Sequence, residues 1–336
     1  MSSRDRGSVT APLLLAIVAL CLIVVAAGAI GAASLRLAGR LTPGAPDPTP
    51  VARRILALLA SDPTPESDSP LDPVHARLEA SGDGRLALED ISSAVDPNWV
   101  ERSLLERTDL GSLLLAPGAD ADALQSYRVQ AGLSVDVATH YRAFFRPEAF
   151  DRYLTGYQPA NVNTTDELVL ELLHREVAPA GDAIAFRQRI RQARAEALRF
   201  GTEDLPGLLA PLAAGASSSF SAAPCWNVHF LPEALLRDLV CSRAYSIADA
   251  DAKAQALVEA RAARELRPDE LPALLGVPAE HPIFTYLGTR TWFWRASWES
   301  KGWRTAIVVA RRSGANGEPS FAVVSVAHER VGKEGS

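Results

Sequence analysis

From Ser8 to Leu35 the chain runs for 28 residues without one charged side chain, and Leu, Ala, Ile and Val fill most of it. At 1.5 Å of rise per residue, such a run exceeds the ~20 residues that a bilayer-spanning helix needs. It is also longer than the ~7–15-residue core of an ordinary secretory signal. The sequence therefore predicts a single retained membrane helix within residues 8–40. Arg4 and Arg6 stand before the run and Arg36 and Arg40 follow it, so flanking charge sets no orientation. Subtracting the +3 of residues 1–40 from the net charge of −6 leaves −9 on the remainder. That acidic remainder argues against nucleic-acid binding, which needs lysine and arginine to displace counterions.

Beyond the membrane run, residues 41–73 hold eight of the 23 prolines, in LTPGAPDPTP and SDPTPESDSPLDP. Proline at this density breaks helices and favours an extended linker, leaving room for one short amphipathic helix in VARRILALLA. Next comes HARLEASGDGRLALEDI, where apolar and polar residues alternate around Gly82-Asp83-Gly84. This predicts a hairpin within 74–95. The competing reading is a calcium loop through Glu79, Ser81, Asp83, Gly84 and Asp90. It lacks the first-position aspartate and the closing bidentate glutamate of an EF-hand.

Residues 96–282 read as helical, and they contain an internal repeat. Asn161-Val162-Asn163 recurs as Asn227-Val228-His229, and LPGLL from Leu205 recurs as LPALL from Leu271, both 66 residues on. A constant offset at both ends predicts two small helical units, 161–209 and 227–275. Asn161 or Asn163 is a candidate helix N-cap, aided by Thr164 or Thr165. Cys225 and Cys241 flank the first helix of the second copy and are a candidate disulfide in an oxidising compartment. An unbroken helix between them would span about 24 Å, so pairing requires the chain to fold back. Cys21 lies in the membrane run, as a small apolar residue.

Residues 283–330 change to strand character, in three β-rich runs separated by ESKG and SGANGEP, which predicts an antiparallel meander. Trp292, Trp294 and Trp298 fall at period two. They either fill the core of the sheet or form a partner-binding face.

The motifs of catalysis are missing. The six histidines show no metal-ligand spacing, and no Gly-x-Ser-x-Gly elbow or Gly-rich phosphate loop occurs. The repeats are similar to helix-hairpin-helix modules, including those of membrane-anchored DNA-uptake receptors. Their hairpin positions, HREVAPAGDAIAF and VCSRAYSIADADAKA, lack the Gly-hydrophobic-Gly turn that approaches a phosphate.

Arg6-Gly7, directly before the apolar run, resembles the prepilin processing site. Cleavage after Gly7 would make Ser8 the first mature residue, with a methylated amine. Most pilins carry glutamate at the fifth mature position, where this chain has Pro12. That leader, one apolar helix, an early hairpin, the paired motifs ANVNTTDELVLELL and WNVHFLPEALL and a C-terminal sheet occur in one order. The order resembles the K-type minor pseudopilins of type II secretion, the pilin branch that lacks the glutamate. The resemblance covers roughly 4–35, 76–91 and 161–330, and residues 96–160 match no family pattern. It implies an α+β fold in which a single N-terminal transmembrane helix precedes a pilin-like antiparallel sheet, interrupted by a large α-helical insertion with two helix-hairpin-helix-like repeats. Residues 1–7 would be the leader, 96–282 the insertion and 283–330 the returning sheet. The resemblance implies a non-enzymatic role at the pseudopilus tip, in the inner membrane with the soluble domain in the periplasm. Its implied partners are the I- and J-type pseudopilins, the secretion platform and the prepilin peptidase. Calcium is a family expectation for which the sequence shows no convincing ligand set. The rival expectation is a membrane-anchored periplasmic adaptor with two helical protein-binding modules.

Overall fold

The computed structural model describes residues 44–75, 86–177, 182–196, 199–201, 204–208, 219–313 and 319–331. The apolar run 8–35, the Gly7-Ser8 processing site, Cys21 and Gly82-Asp83-Gly84 lie outside the described residues. Among the described residues no helix is long and apolar enough to cross a membrane.

A mixed α/β framework is built on one antiparallel sheet in the order β1 (Leu86–Asp90), β6 (Phe293–Ser300), β7 (Trp303–Ser313), β8 (Pro319–Arg330). Strands β6 and β7 are joined by Lys301-Gly302, with φ of 52° and 77°. Two successive positive φ values give the primed hairpin turn, whose twist matches that of the flanking strands. β7 and β8 pair through a register shift at Val308/Val309, which leaves Val324 out of the ladder and exposed. One face of the sheet is covered by α1 (Thr49–Ala60). Ala52, Ile55 and Leu59, at helical spacing, bury against Leu86, Trp294, Ala296, Ile307 and Val309. Each such large apolar side chain removed from water contributes roughly 1.5–3 kcal/mol.

The second arm of the expected hairpin is the strand β1, and residues 76–85, with its turn, lie outside the described residues. β1 pairs with β6, with Asp90 opposite Trp294. Everything from residue 91 to residue 292 is thus a connection between two neighbouring strands. Of the residues in the calcium-loop reading, Asp90 alone lies among the described residues, and Glu79, Ser81, Asp83 and Gly84 do not. The Asp90 carboxylate accepts from Ser92 N–H, Ser93 N–H, the Ser93 hydroxyl and the Thr291 hydroxyl, fastening the start and end of that connection together.

The connection begins with short helices α2 (Arg102–Arg107), α3 (Leu110–Leu114), α4 (Ala121–Ala131), α5 (Val137–His140) and α6 (Pro147–Arg152). Two copies of one unit follow. The first is β2 (Ala160–Asn161), α7 (Glu167–Val177), α8 (Ala183–Ala195), α9 (Leu205–Leu208) and β3 (Phe220–Ser221). The second is β4 (Trp226–Asn227), α10 (Glu233–Cys241), α11 (Ala250–Ala263), α12 (Leu271–Leu275) and β5 (Leu287–Gly288). In each copy the last strand returns to pair in parallel with the first. The repeated unit is therefore longer than its sequence motifs, because a two-residue strand carries almost no pattern. The offset is 66 at β2/β4, α7/α10 and α9/α12 but 67 at α8/α11 and β3/β5. One residue is gained before α11, lost before α12 and gained again before β5. The first unit packs its own core around Val162, Leu170, Phe186, Ile190 and Phe220. The second merges with α2–α6, uniting Leu104, Leu124, Tyr141 and Phe145 with Leu235, Leu239, Leu257 and Leu275.

The tryptophans fill cores and do not form an exposed partner face. Trp294 is buried and Trp298 partly so against α1, as period two requires of one strand face. Trp292 precedes β6 and turns the other way, into the helical core, where its indole N–H donates to Pro224 O at 2.9 Å. Removing rings of this size from water is worth more than displaying them.

Candidate functional site

The loop after α1, read from sequence as a linker, is an acidic segment tied to both the sheet and the second helical unit. Asp62 Oδ1 accepts the Thr64 N–H at 2.8 Å and Asp72 Oδ1 the Val74 N–H at 2.8 Å, two local turns that curl the loop inward. Between them Ser67 and Asp68 cross from the sheet to the second helical unit. The Asp68 N–H donates to Thr289 O at 2.8 Å, and the Ser67 hydroxyl to Leu266 O at 2.7 Å. Asp68 O accepts from Asn227 Nδ2 at 2.9 Å. Its carboxylate is held by Arg311 of β7, with Nη2 at 2.7 and 2.9 Å from the two oxygens, and by the Thr291 N–H at 2.7 Å. Arg311 also donates to Thr291 O and Pro65 O. Sheet, loop and second unit thus meet at one buried ion pair.

Ligand oxygens of Asp62, Asp68 and Asp72 all lie within 4.8 Å of one another. Burial pushes the Asp68 carboxyl up to about 7, against the opposing pull of Arg311 and the Thr291 N–H. Burial pushes Asp72 up to about 6, opposed by the Val74 N–H and reinforced by Asp62. Three carboxylates stand against Arg311, with Arg290 also in electrostatic reach of Asp68, and an all-oxygen donor set suits a hard cation. The residues therefore fit calcium, with Asp62 and Asp72 each keeping an oxygen outside the bonds above. Asp68 would serve through its remaining lone pairs. Sequence reading missed this set because EF-hand spacing was the pattern sought. The available signal was three aspartates punctuated by proline, in Asp62-Pro63, Asp68-Ser69-Pro70 and Asp72-Pro73.

No family model and no curated protein matches the chain.

The repeat asparagines are loop organisers and not helix caps. In both copies the first asparagine folds its own loop. Asn161 Oδ1 accepts the Asn163 N–H at 2.8 Å, and Asn227 Oδ1 the His229 N–H at 3.0 Å. Their carbonyls accept Thr165 N–H and Leu231 N–H at 2.8 and 2.9 Å. The amide of Asn161 reaches Ala223 O, and that of Asn227 reaches Asp68 O and the Thr291 hydroxyl. Helix α7 takes its side-chain acceptor from Asp166, whose Oδ1 receives the Leu168 N–H. The asparagines stand too far ahead of the helix to reach its first turn.

Cys225 and Cys241 are both free thiols. Cys225 is buried ahead of β4 with its thiol toward Pro159 O, and burial pushes it up to about 12. Cys241 closes α10 with its thiol on Asp251 Oδ1 at 3.3 Å, pushed up to about 11 by burial and that carboxylate. The expected disulfide is therefore not formed, and each thiol has a partner of its own.

Proposed function

We propose that the chain is a minor pseudopilin of the K type. Residues 8–35 would hold it in the inner membrane, and after cleavage behind Gly7 would pack among the helices of a type II secretion pseudopilus. The observation that carries the reading is the placement of 91–292 between β1 and β6. A helix laid on an antiparallel sheet, interrupted by a large and mainly helical insertion, is the architecture that the resemblance implies. The insertion would cap the fibre, since a domain of that bulk leaves no room for a subunit above it. The role is mechanical, assisting export of folded proteins across the outer membrane. Calcium at Asp62, Asp68 and Asp72 would rigidify the joint between sheet and insertion.

N-terminal sequencing of the full chain, expressed in membranes with its prepilin peptidase, tests this. A mature end at Ser8 and co-purification with I- and J-type pseudopilins are expected. An intact Met1 would instead support the anchored periplasmic adaptor. That alternative draws on the start of α1, where Pro48 stands before Thr49 and Gly44 has a φ of 83°. A helix continuous from the membrane run, as in most pilins, is interrupted there.

A further inference from the structure

The two helical units and α2 meet around a cleft of about 470 Å³, lined by Arg107, Arg194 and Arg199 together with Glu101, Tyr245 and Tyr286. Three guanidiniums against one carboxylate leave the lining at +2 in a chain whose net charge is −6. Its volume is that of a small-ligand site.

Comparison of the two copies singles out Arg194. Its Nη2 donates to Val162 O and Thr165 O at 2.9 and 2.7 Å, just as Arg261 Nη1 donates to Val228 O and Leu231 O at 2.7 and 2.6 Å. Both arginines therefore brace the loop behind their asparagine. Arg194 Nε is in addition buried with no hydrogen-bond partner, and Arg261 has no such stranded atom. That atom is closed to water, so Arg194 acts on the cleft through its charge and not through Nε. Arg107 and Arg199 are exposed and make no ion pair among the described residues. Glu101 offsets one of the three charges, acting on Arg194, and its carboxylate also accepts from the Ser103 and Tyr286 hydroxyls. The Tyr245 and Tyr286 rings, edge to face with centroids 6.4 Å apart, add an apolar wall.

We infer that this cleft binds the carboxylate of an organic anion, with its oxygens on the Arg107 and Arg199 guanidiniums, in the field of Arg194, and its carbon skeleton against the tyrosine rings. Planar guanidinium forks match a carboxylate bidentately, and the rings favour a carbon-bearing anion over a bare inorganic one. The same chemistry is offered by an acidic side chain of a protein neighbour and by a free dicarboxylate. The inference stands apart from the secretion reading and does not need it.

Calorimetric titration of the full-length chain in an uncharged detergent tests it, with glutarate, a glutamate-rich hexapeptide and inorganic phosphate as probes. Saturable, salt-sensitive binding of glutarate or the peptide is expected, at least about tenfold tighter than phosphate. Arg107→Gln with Arg199→Gln should weaken it by about tenfold or more. Both side chains are exposed, so an unchanged unfolding midpoint will show that the variant folds. Tighter binding of the peptide supports the site with a protein segment as its ligand, and tighter binding of glutarate supports it with a free carboxylate. Phosphate binding as tightly as glutarate, binding untouched by the double variant, or no saturable binding of either carboxylate overturns the inference.

Discussion

Arg311 Nη2 sits 2.7 and 2.9 Å from the two carboxylate oxygens of Asp68, 243 residues away in sequence and buried with it. The guanidinium also lies over the Trp294 and Phe321 rings, 5.1 and 5.4 Å from their centroids. Replacing Arg311 by Met leaves Asp68 buried without its cation and should cost about 3–5 kcal/mol in denaturant unfolding. Adding Asp68→Asn to that variant should recover a large part of the loss, since it removes the stranded charge. A double variant no more stable than Arg311→Met alone would show that the ion pair does not hold this joint.

Asn163 and His229 perform one task in the two copies. Asn163 Oδ1 accepts the Phe200 N–H at 2.9 Å, and His229 Nε2 accepts the Leu266 N–H at 2.9 Å, each pair again 66 residues apart. Asn163 also returns a bond to Phe200 O at 3.0 Å, whereas His229 Nδ1 is buried without a partner. His229→Asn should therefore stay within about 1 kcal/mol of the parent, while His229→Ala should cost about 1–3 kcal/mol by orphaning the Leu266 N–H. Thermal unfolding of both variants measures this, and equal losses would show that the two positions are not equivalent.

The strands of the meander and the two helical units were legible because period-two alternation and a fixed 66-residue offset survive in side-chain identity. What stayed hidden was set by contacts across the chain. The partner of β1 lies beyond the insertion, and no local pattern in Leu86–Asp90 names Trp294 as the residue opposite Asp90. Trp292 and Trp294 share a period but not a core, because Trp292 stands outside the strand that the period assumes. Asp62, Asp68 and Asp72 read as linker because proline suppressed any regular element, while their convergence depends on Arg311 and Asn227 far downstream. The tyrosine and arginine cleft joins three segments, each unremarkable on its own.

Asp96 gives a pH signature. Its Oδ1 accepts both the backbone and amide N–H of Asn98 at 2.8 Å, its Oδ2 is buried without a partner, and burial pushes it up to about 7. Between its ordinary value of 3.8 and 7 the folded state holds a proton that the unfolded chain has lost. Its contribution is thus complete at acid pH and lost as pH rises through 7. Burial lowers His174 and His229, which act in the opposite sense and cost stability as pH falls below about 6.5. The comparison is therefore between the parent and Asp96→Asn at each pH. From pH ~4 to ~8 the parent should lose roughly 1–4 kcal/mol relative to the variant. Parallel curves would show that Asp96 is ionised throughout.

Calcium should act on the Asp62–Asp68–Asp72 loop in a way that separates cation binding from general screening. If the three carboxylates hold the ion, excess calcium raises the unfolding midpoint by mass action, about 2.7 kcal/mol at one hundred times its dissociation constant. Chelation reverses the gain. Asp62→Asn with Asp72→Asn removes two of the three carboxylates while leaving the Arg311–Asp68 pair intact, so this variant should fold and show no calcium response. It should also be less sensitive to rising pH without calcium, because Asp72, raised to about 6, no longer loses a proton in the folded state. Magnesium is the control, since its shorter, near-octahedral coordination is poorly served by carboxylates already committed to Thr64, Val74 and Arg311. A calcium response that persists in the double variant, or one matched by magnesium, would place the effect elsewhere in the acidic chain.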